Sequence, residues 1–190
     1  MNMSECLYEV REPGIGLITF NRPDRLNAWT GRMGNEYFAA IDAAVADPNV
    51  RVIVVTGAGK GYCAGADMGT LQAIPSGDSA SSKDGASIVE GRMQDEITRI
   101  TKPVIAAING AAAGLGLVQA LMCDMRFAAD TAKFTVAFSK RGLIGEYGIS
   151  WVLPRLVGQA NALDLMMSSR VVMANEAQQM GMVNKVVPAD

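Results

Sequence analysis

Twice in this chain a short apolar run ends in a cluster of small residues. Arg51–Thr56 passes into Gly57-Ala58-Gly59-Lys60-Gly61, and Val104–Ile108 passes into Asn109-Gly110-Ala111-Ala112-Ala113-Gly114-Leu115-Gly116. A short β-branched or apolar run bounded by glycine reads as a buried strand. The small residues that follow let the backbone turn sharply and come close to a neighbour or a ligand. After the second turn, Gly114–Cys123 reads as a helix. Strands and helices in this order fit right-handed ββα or βαβ units, an α/β fold. A chain of 190 residues is long enough for one domain with a substantial core. Neither a repeat nor a linker divides residues 1–190.

The remaining elements follow from pattern. Leu7–Arg11 and Ile15–Phe20 predict two strands joined by the turn Glu12-Pro13-Gly14. Asn21–Ala28 is a loop. A helix is expected after Thr30, because Tyr37, Ile41 and Val45 recur every four residues, and Asp47-Pro48 ends it. Gly57–Gly61 is a glycine-rich loop, and residues 68–85 read as a longer one. Ser87 and Glu90 have capping-box spacing, and Met93, Ile97 and Ile100 form a helical stripe that Pro103 stops. Met125–Ala129 and Val183–Val187 read as strands. Helices are expected after Gly148, around Ala160–Ser168 and over Ala174–Met180.

Composition removes several function classes. A net charge of −2 gives no basic footprint for nucleic acid. The longest apolar runs are far too short to span a bilayer. Glu5, Glu9 and Arg11 are too dense for a secretory leader at Met1–Arg11. Cys6, Cys63 and Cys123 are an odd set without CxxC spacing, so spare thiols in a reducing, cytoplasmic setting are expected rather than a disulfide or zinc site. The chain has no histidine. Ser-His-Asp and Cys-His catalysis and histidine-based metal sites are therefore excluded from this chain alone. Proton transfer near neutral pH falls to a carboxylate, Lys, Tyr, Cys or water.

The first small-residue turn continues as Tyr62-Cys63-Ala64-Gly65-Ala66-Asp67-Met68. A helix starting near Ala66 would aim unpaired N–H groups at an oxyanion. A Walker loop is ruled out, because Gly61 and not Ser or Thr follows Lys60. Two such turns facing each other would place two backbone N–H groups on one carbonyl oxygen, an oxyanion hole. The competing reading of each turn is tight helix–sheet packing.

Ala64-Gly65-Ala66-Asp67, then Lys102–Gly116 with Cys123-Asp124 behind it, closely resembles the crotonase (enoyl-CoA hydratase/isomerase) superfamily. Asn21-Arg22-Pro23 with Asn27-Ala28 matches that family's N-terminal loop, and Ala174…Ala177…Gly181-Met182-Val183 resembles its late segment. The likeness covers nearly the whole chain in the family's order. It implies a spiral of ββα turns, assembled as a homotrimer or a hexamer, that binds an acyl-CoA substrate. No metal or further cofactor is implied, since coenzyme A is part of the substrate. The resemblance assigns the two oxyanion donors to the backbone N–H groups of Ala66 and Leu115. It puts Arg25, Ala28, Ala64 and Met68 along the coenzyme A channel and counts Asp67 and Gly114 with them as substrate-binding residues. Lys60 is a further candidate for a phosphate contact. For Arg25 and Lys60 a solvated surface charge competes with that role, and for Asp67 and Asp124 fixing of local backbone does.

The sequence also departs from the family pattern. Hydratases of the family use two glutamates as acid and base around a water. At those positions this chain has Val118 and Phe138, and neither transfers a proton. Instead, Gly142-Leu143-Ile144-Gly145-Glu146-Tyr147-Gly148 resembles the segment carrying the single glutamate of peroxisomal-type Δ3,Δ2-enoyl-CoA isomerases. Glu146 lies among glycines and apolar residues, a setting suited to holding a proton. The competing reading of Glu146 is a helix-start residue that satisfies backbone N–H groups. The chain stops at Val186-Val187-Pro188-Ala189-Asp190, where family members usually continue with C-terminal helices. The expected function is isomerisation of an enoyl-CoA with Glu146 as acid/base. A family hydrolase, a hydratase and a non-catalytic acyl-CoA-binding subunit are the alternatives.

Overall fold

The computed structural model describes residues 4–67 and 92–189. Strands β1 (Cys6–Arg11) and β2 (Ile15–Phe20) pair antiparallel, with Cys6 opposite Phe20. Thr30 then caps helix α1 (Gly31–Ala46), its side chain accepting from the Met33 N–H at 3.0 Å. Such a cap contributes about 1 kcal/mol. At the other end Lys102 donates to the Ala44 and Asp47 carbonyls, at 2.8 and 2.6 Å. These are two of the acceptors a helix terminus leaves unpaired.

Strands β3 (Val52–Gly57), β5 (Val104–Ile108), β7 (Met125–Ala129) and β10 (Lys185–Val187) extend the first sheet in the order β1-β2-β3-β5-β7-β10. Apart from β1 with β2, its pairs are parallel. Ile53 sits opposite Val104, which makes the two apolar runs of the sequence neighbours in one sheet. Asp124 fixes the edge of β5, accepting from the Val104 N–H at 2.7 Å.

A second sheet, β4-β6-β8-β9, is built from β4 (Gly61–Cys63), β6 (Ala111–Ala113), β8 (Lys133–Thr135) and β9 (Val172–Met173). The pattern of the sequence did not predict these strands, since they are two or three residues long and one, β6, is all alanine. β4, β6 and β8 each follow a first-sheet strand and pair with one another across successive turns of the chain, and β9 adds to β8. The chain thus steps from long strand to short strand to helix, as in β5, β6 and α2 (Leu115–Met122). This is the crotonase-type ββα spiral. Helices α3 (Ile149–Val157), α4 (Gln159–Ser168) and α5 (Ala174–Gln179) follow.

One expectation needs correction. The stripe Met93–Ile100 forms a 3-10 helix over Gln94–Arg99 rather than an α-helix, with Ile97 buried and Met93 exposed. The capping-box pair Ser87 and Glu90 lies outside the described residues. Ala66 makes an isolated parallel bridge with Trp29, and a helix starting near it would run into residues outside the described ones.

The core between α1, the first sheet and α2 is aromatic. Phe20, Trp29, Tyr37 and Tyr62 pack edge-on or tilted with centroids 5.5–5.7 Å apart. Such pairs contribute about 0.5–1.5 kcal/mol each beyond burial. One polar side chain, Gln119 of α2, reaches fully buried into this cluster.

Candidate active site

The two small-residue turns face each other. Asn109, at the end of β5, donates from Nδ2 to the Gly59 carbonyl at 2.9 Å and accepts at Oδ1 from the Gly57 N–H at 3.2 Å. Asn27 ties the N-terminal loop to the first turn through Nδ2, which donates to the Ala58 and Gly61 carbonyls at 2.9 and 2.7 Å. Its own backbone is left-handed, at φ 57°, a conformation asparagine tolerates better than most residues. The Ala64 N–H then donates to the Leu26 carbonyl at 3.0 Å, fastening the 64–67 segment to the same loop.

Ala66 is held by its neighbours. The Trp29 N–H donates to the Gly65 carbonyl at 2.7 Å, and the Asp67 N–H to the Trp29 carbonyl at 2.9 Å. Both bonds bracket Ala66 and leave its own N–H out of the bridge. Leu115 is the first residue of α2, and Gly114 before it has no side chain to cap the helix. The first N–H groups of a helix have no partner within it. The Gly114 N–H is used elsewhere, donating to the Thr135 carbonyl at 3.0 Å.

The approach of these two segments depends on glycine. A Cβ placed on Gly65, at φ +94°, would lie 2.9 Å from the Ala113 carbonyl oxygen and 3.8 Å from the Leu115 nitrogen. A Cβ on Gly116 would lie 2.2 Å from the Cys63 carbonyl oxygen. Backbone thus packs on backbone where the 64–67 segment meets the start of α2.

Asp67 is tied to Arg22, whose Nη1 lies 2.9 Å from Oδ2. The same guanidinium donates to the Ala28 carbonyl and lies 3.6 Å from Glu5. Arg22 and Asn27 therefore set the 64–67 segment in place, and the sequence reading assigned a role to neither. The signal available was an Arg and an Asn inside a short Pro-containing loop. Arg25, on a 3-10 turn over Pro23–Arg25, and Lys60 are exposed at the same end of the molecule. Met68 lies outside the described residues.

Val118 and Phe138 are buried and apolar. Glu146 is half-buried, and among the described residues no hydrogen bond or ion pair holds its carboxylate. It does not cap α3, whose N-cap is Gly148 without a side-chain bond. Burial, together with the charge of Glu146, pushes the Tyr147 phenol upward. Tyr147 and Gly148 line a cavity of about 420 Å³ with Met93, Met122 and Trp151. The Glu146 loop thus meets α2 at Met122, the last residue of that helix, about 10 Å along the axis from Leu115.

The three cysteines are buried and unpaired, and burial pushes each thiol up to about 12. They are inert at neutral pH. Among the described residues, no group of three or more His, Cys, Asp or Glu could hold a metal ion.

The family model for enoyl-CoA hydratase/isomerase matches residues 10–190. The chain belongs to the enoyl-CoA hydratase/isomerase family. Its relatives include a 1,2-epoxyphenylacetyl-CoA isomerase of Escherichia coli, 36% identical over 97% of this chain and 71% of that protein. Among solved structures, an enoyl-CoA hydratase from Mycobacterium marinum is 49% identical, with a TM-score of 0.81 over 98% of this chain and 82% of that one. A monofunctional enoyl-CoA isomerase from M. smegmatis is 35% identical, with a TM-score of 0.79 over 99% of this chain and 79% of that one. The chain spans 62% of a probable enoyl-CoA hydratase of Mycobacterium leprae, so some relatives are considerably longer. An acyl-CoA thioester substrate is consistent with the family. The relatives do not separate hydratase from isomerase, since they carry both names.

Proposed function

We propose that this member of the family isomerises an enoyl-CoA, with Glu146 as its single acid/base. The observation that carries the reading is the pairing of two facts. The segments bearing the Ala66 and Leu115 N–H groups are in backbone contact. The positions where a hydratase would hold its two glutamates carry buried Val118 and Phe138. The thioester oxygen sits between the two N–H groups, which stabilise negative charge as the C2 proton leaves. Donors of this kind contribute about 3–4 kcal/mol each. The Glu146 carboxylate takes the C2 proton and returns it at C4. The double bond moves from 3,4 to 2,3, and the enzyme ends as it began. One carboxylate free of hydrogen bonds and ion pairs suffices for such a shuttle.

Coenzyme A lies across the 21–28 loop and the 64–67 segment, with Arg25 and Lys60 available to its phosphates. The active form is a homo-oligomer, and the working compartment is the cytoplasm.

A panel of 3-enoyl- and 2-enoyl-CoA thioesters, with products read by NMR, tests the reading. Conjugated 2-enoyl-CoA should form from 3-enoyl-CoA, with little 3-hydroxyacyl-CoA from either. Rapid hydration of 2-enoyl-CoA without isomerisation would overturn it.

A further inference from the structure

The two segments that carry the Ala66 and Leu115 N–H groups are joined a second time, inside the core. Tyr62 of β4 lies four residues before Ala66, and Gln119 of α2 lies four residues, about one helical turn, after Leu115. The Tyr62 hydroxyl donates to Gln119 Oε1. Gln119 Nε2 in turn donates to the Tyr37 hydroxyl of α1 at 2.8 Å. All three residues are fully buried, at 0% exposure, so water does not compete for these bonds. Gln119 Nε2 also lies 3.7 Å from Cys123 Sγ, which completes the partners of the amide.

This bond falls where the backbone ladder is weakest. β4 pairs with β6 through Gly61 opposite Ala111 and Cys63 opposite Ala112, with the register shifting between them. Tyr62 is therefore the extra residue of a bulge. Bulges interrupt pairing and re-aim the strand that follows. A three-residue strand with a bulge at its centre fixes the direction of Ala64–Asp67 poorly through its ladder alone. The side chain of the bulged residue instead reaches across to α2 and is held there. Phe and Leu would fill the same space in an aromatic and aliphatic core, so packing alone does not call for the polar pair.

We propose that Gln119 and Tyr62 are positioning residues, a buried clamp that sets the angle and spacing of the Ala66 and Leu115 N–H groups on the thioester oxygen. The inference rests on the reading that those two groups bind that oxygen. The clamp touches neither substrate nor the proton path, and it acts through β4 and α2.

The test uses the intact protein, crotonyl-CoA labelled with 13C at the thioester carbonyl, and infrared difference spectra of the bound ligand. Wild type, Tyr62→Phe, Gln119→Leu and the double variant are compared, with thermal melting as a control for folding. Tyr62→Phe leaves Gln119 Oε1 unpaired, Gln119→Leu leaves the Tyr62 and Tyr37 hydroxyls unpaired, and both should melt lower. The double variant leaves only the Tyr37 hydroxyl unpaired and should melt above Gln119→Leu, recovering the part of the loss that belongs to the Tyr62–Gln119 pair. If the clamp positions the donors, the downshift of the carbonyl band falls by at least about half in Tyr62→Phe and stays reduced in the double variant. Turnover should follow the band rather than the melting temperature, falling about tenfold with KM within about twofold. Tyr62→Phe, which removes one oxygen, keeps the test alive if the larger changes prevent folding. A wild-type band shift retained in the double variant overturns the clamp alone. A wild-type protein that binds crotonyl-CoA without shifting its carbonyl band overturns the two-donor site, and the clamp with it.

Discussion

At the residue scale the site depends on groups that take no charge. In the proposed function the Ala66 and Leu115 side chains are spectators, and their backbone N–H groups carry the chemistry. The residues holding the 64–67 segment in place, Asn27 and Arg22, are polar; they bond to each other within the loop and reach out of it to Ala58, Gly61 and Asp67. Deeper in, burial keeps Cys6, Cys63 and Cys123 as thiols, each raised from an ordinary 9.0 to about 12. Tyr37 and Tyr62 are raised by burial as well. Above pH 9 the unfolded chain loses these protons and the folded one keeps them. The stability they contribute is present in full below that pH and is lost as pH rises toward 12. Each such group contributes a slope of about 1.4 kcal/mol per pH unit at most in that window. Urea melts between pH 8 and 11 should show falling stability, and the Cys63→Ser and Cys123→Ser variants should flatten the fall. A stability that is level or rising across that range would contradict the assignment.

At the scale of elements, the contact between the 64–67 segment and the start of α2 is the feature on which the site is built. Gly65→Ala places a Cβ against the Ala113 carbonyl oxygen at a positive φ. It should cost about 1–3 kcal/mol, seen as a lowered melting temperature, and turnover should fall because the two donors are pushed apart. Unchanged melting and unchanged turnover would mean the contact is looser than described. The long strands and α1 were legible because their residues carry the periodicity that burial demands, as Ile53 and Val55 do in β3 and Tyr37 and Ile41 in α1. The second sheet was not legible. Gly61–Cys63 and Ala111–Ala113 have little strand preference of their own, and a neighbouring turn of the spiral makes them strands. The 3-10 helix at Gln94–Arg99 was misread for a related reason. Ile97 and Ile100 are compatible with either helix type, and tertiary contacts decide. The two turns proposed to carry the N–H donors were legible as small-residue clusters and through the family likeness. The Tyr62–Gln119 bond was not, because it joins residues 57 positions apart.

At the scale of the molecule, one surface stands out. Ile144 is 80% exposed and Met167 77%, with Leu163 at 50% and Trp151 at 54%. Ser139 donates to the Met167 carbonyl at 3.1 Å, which brings the loop before Leu143 and Ile144 onto α4. Side chains of this size left in water favour association. Light scattering should therefore give a mass above the 20.1 kDa of one chain at micromolar concentration, and Ile144→Glu with Met167→Glu should lower it. A single-chain mass across a wide concentration range would count against the homo-oligomer.

The proposed function needs the whole molecule to hold two backbone donors at one end of α2 and one carboxylate, Glu146, beside the substrate they would bind. Glu146 is half-buried and leaves α3 uncapped, so its removal should affect chemistry far more than folding. The direct measurement is turnover of a 3-enoyl-CoA by Glu146→Gln beside wild type, with acyl-CoA affinity measured on the same samples. The account predicts a fall of at least about a hundredfold in turnover, with affinity within about threefold. Wild-type turnover in Glu146→Gln, on a thioester that the parent protein converts, would contradict it.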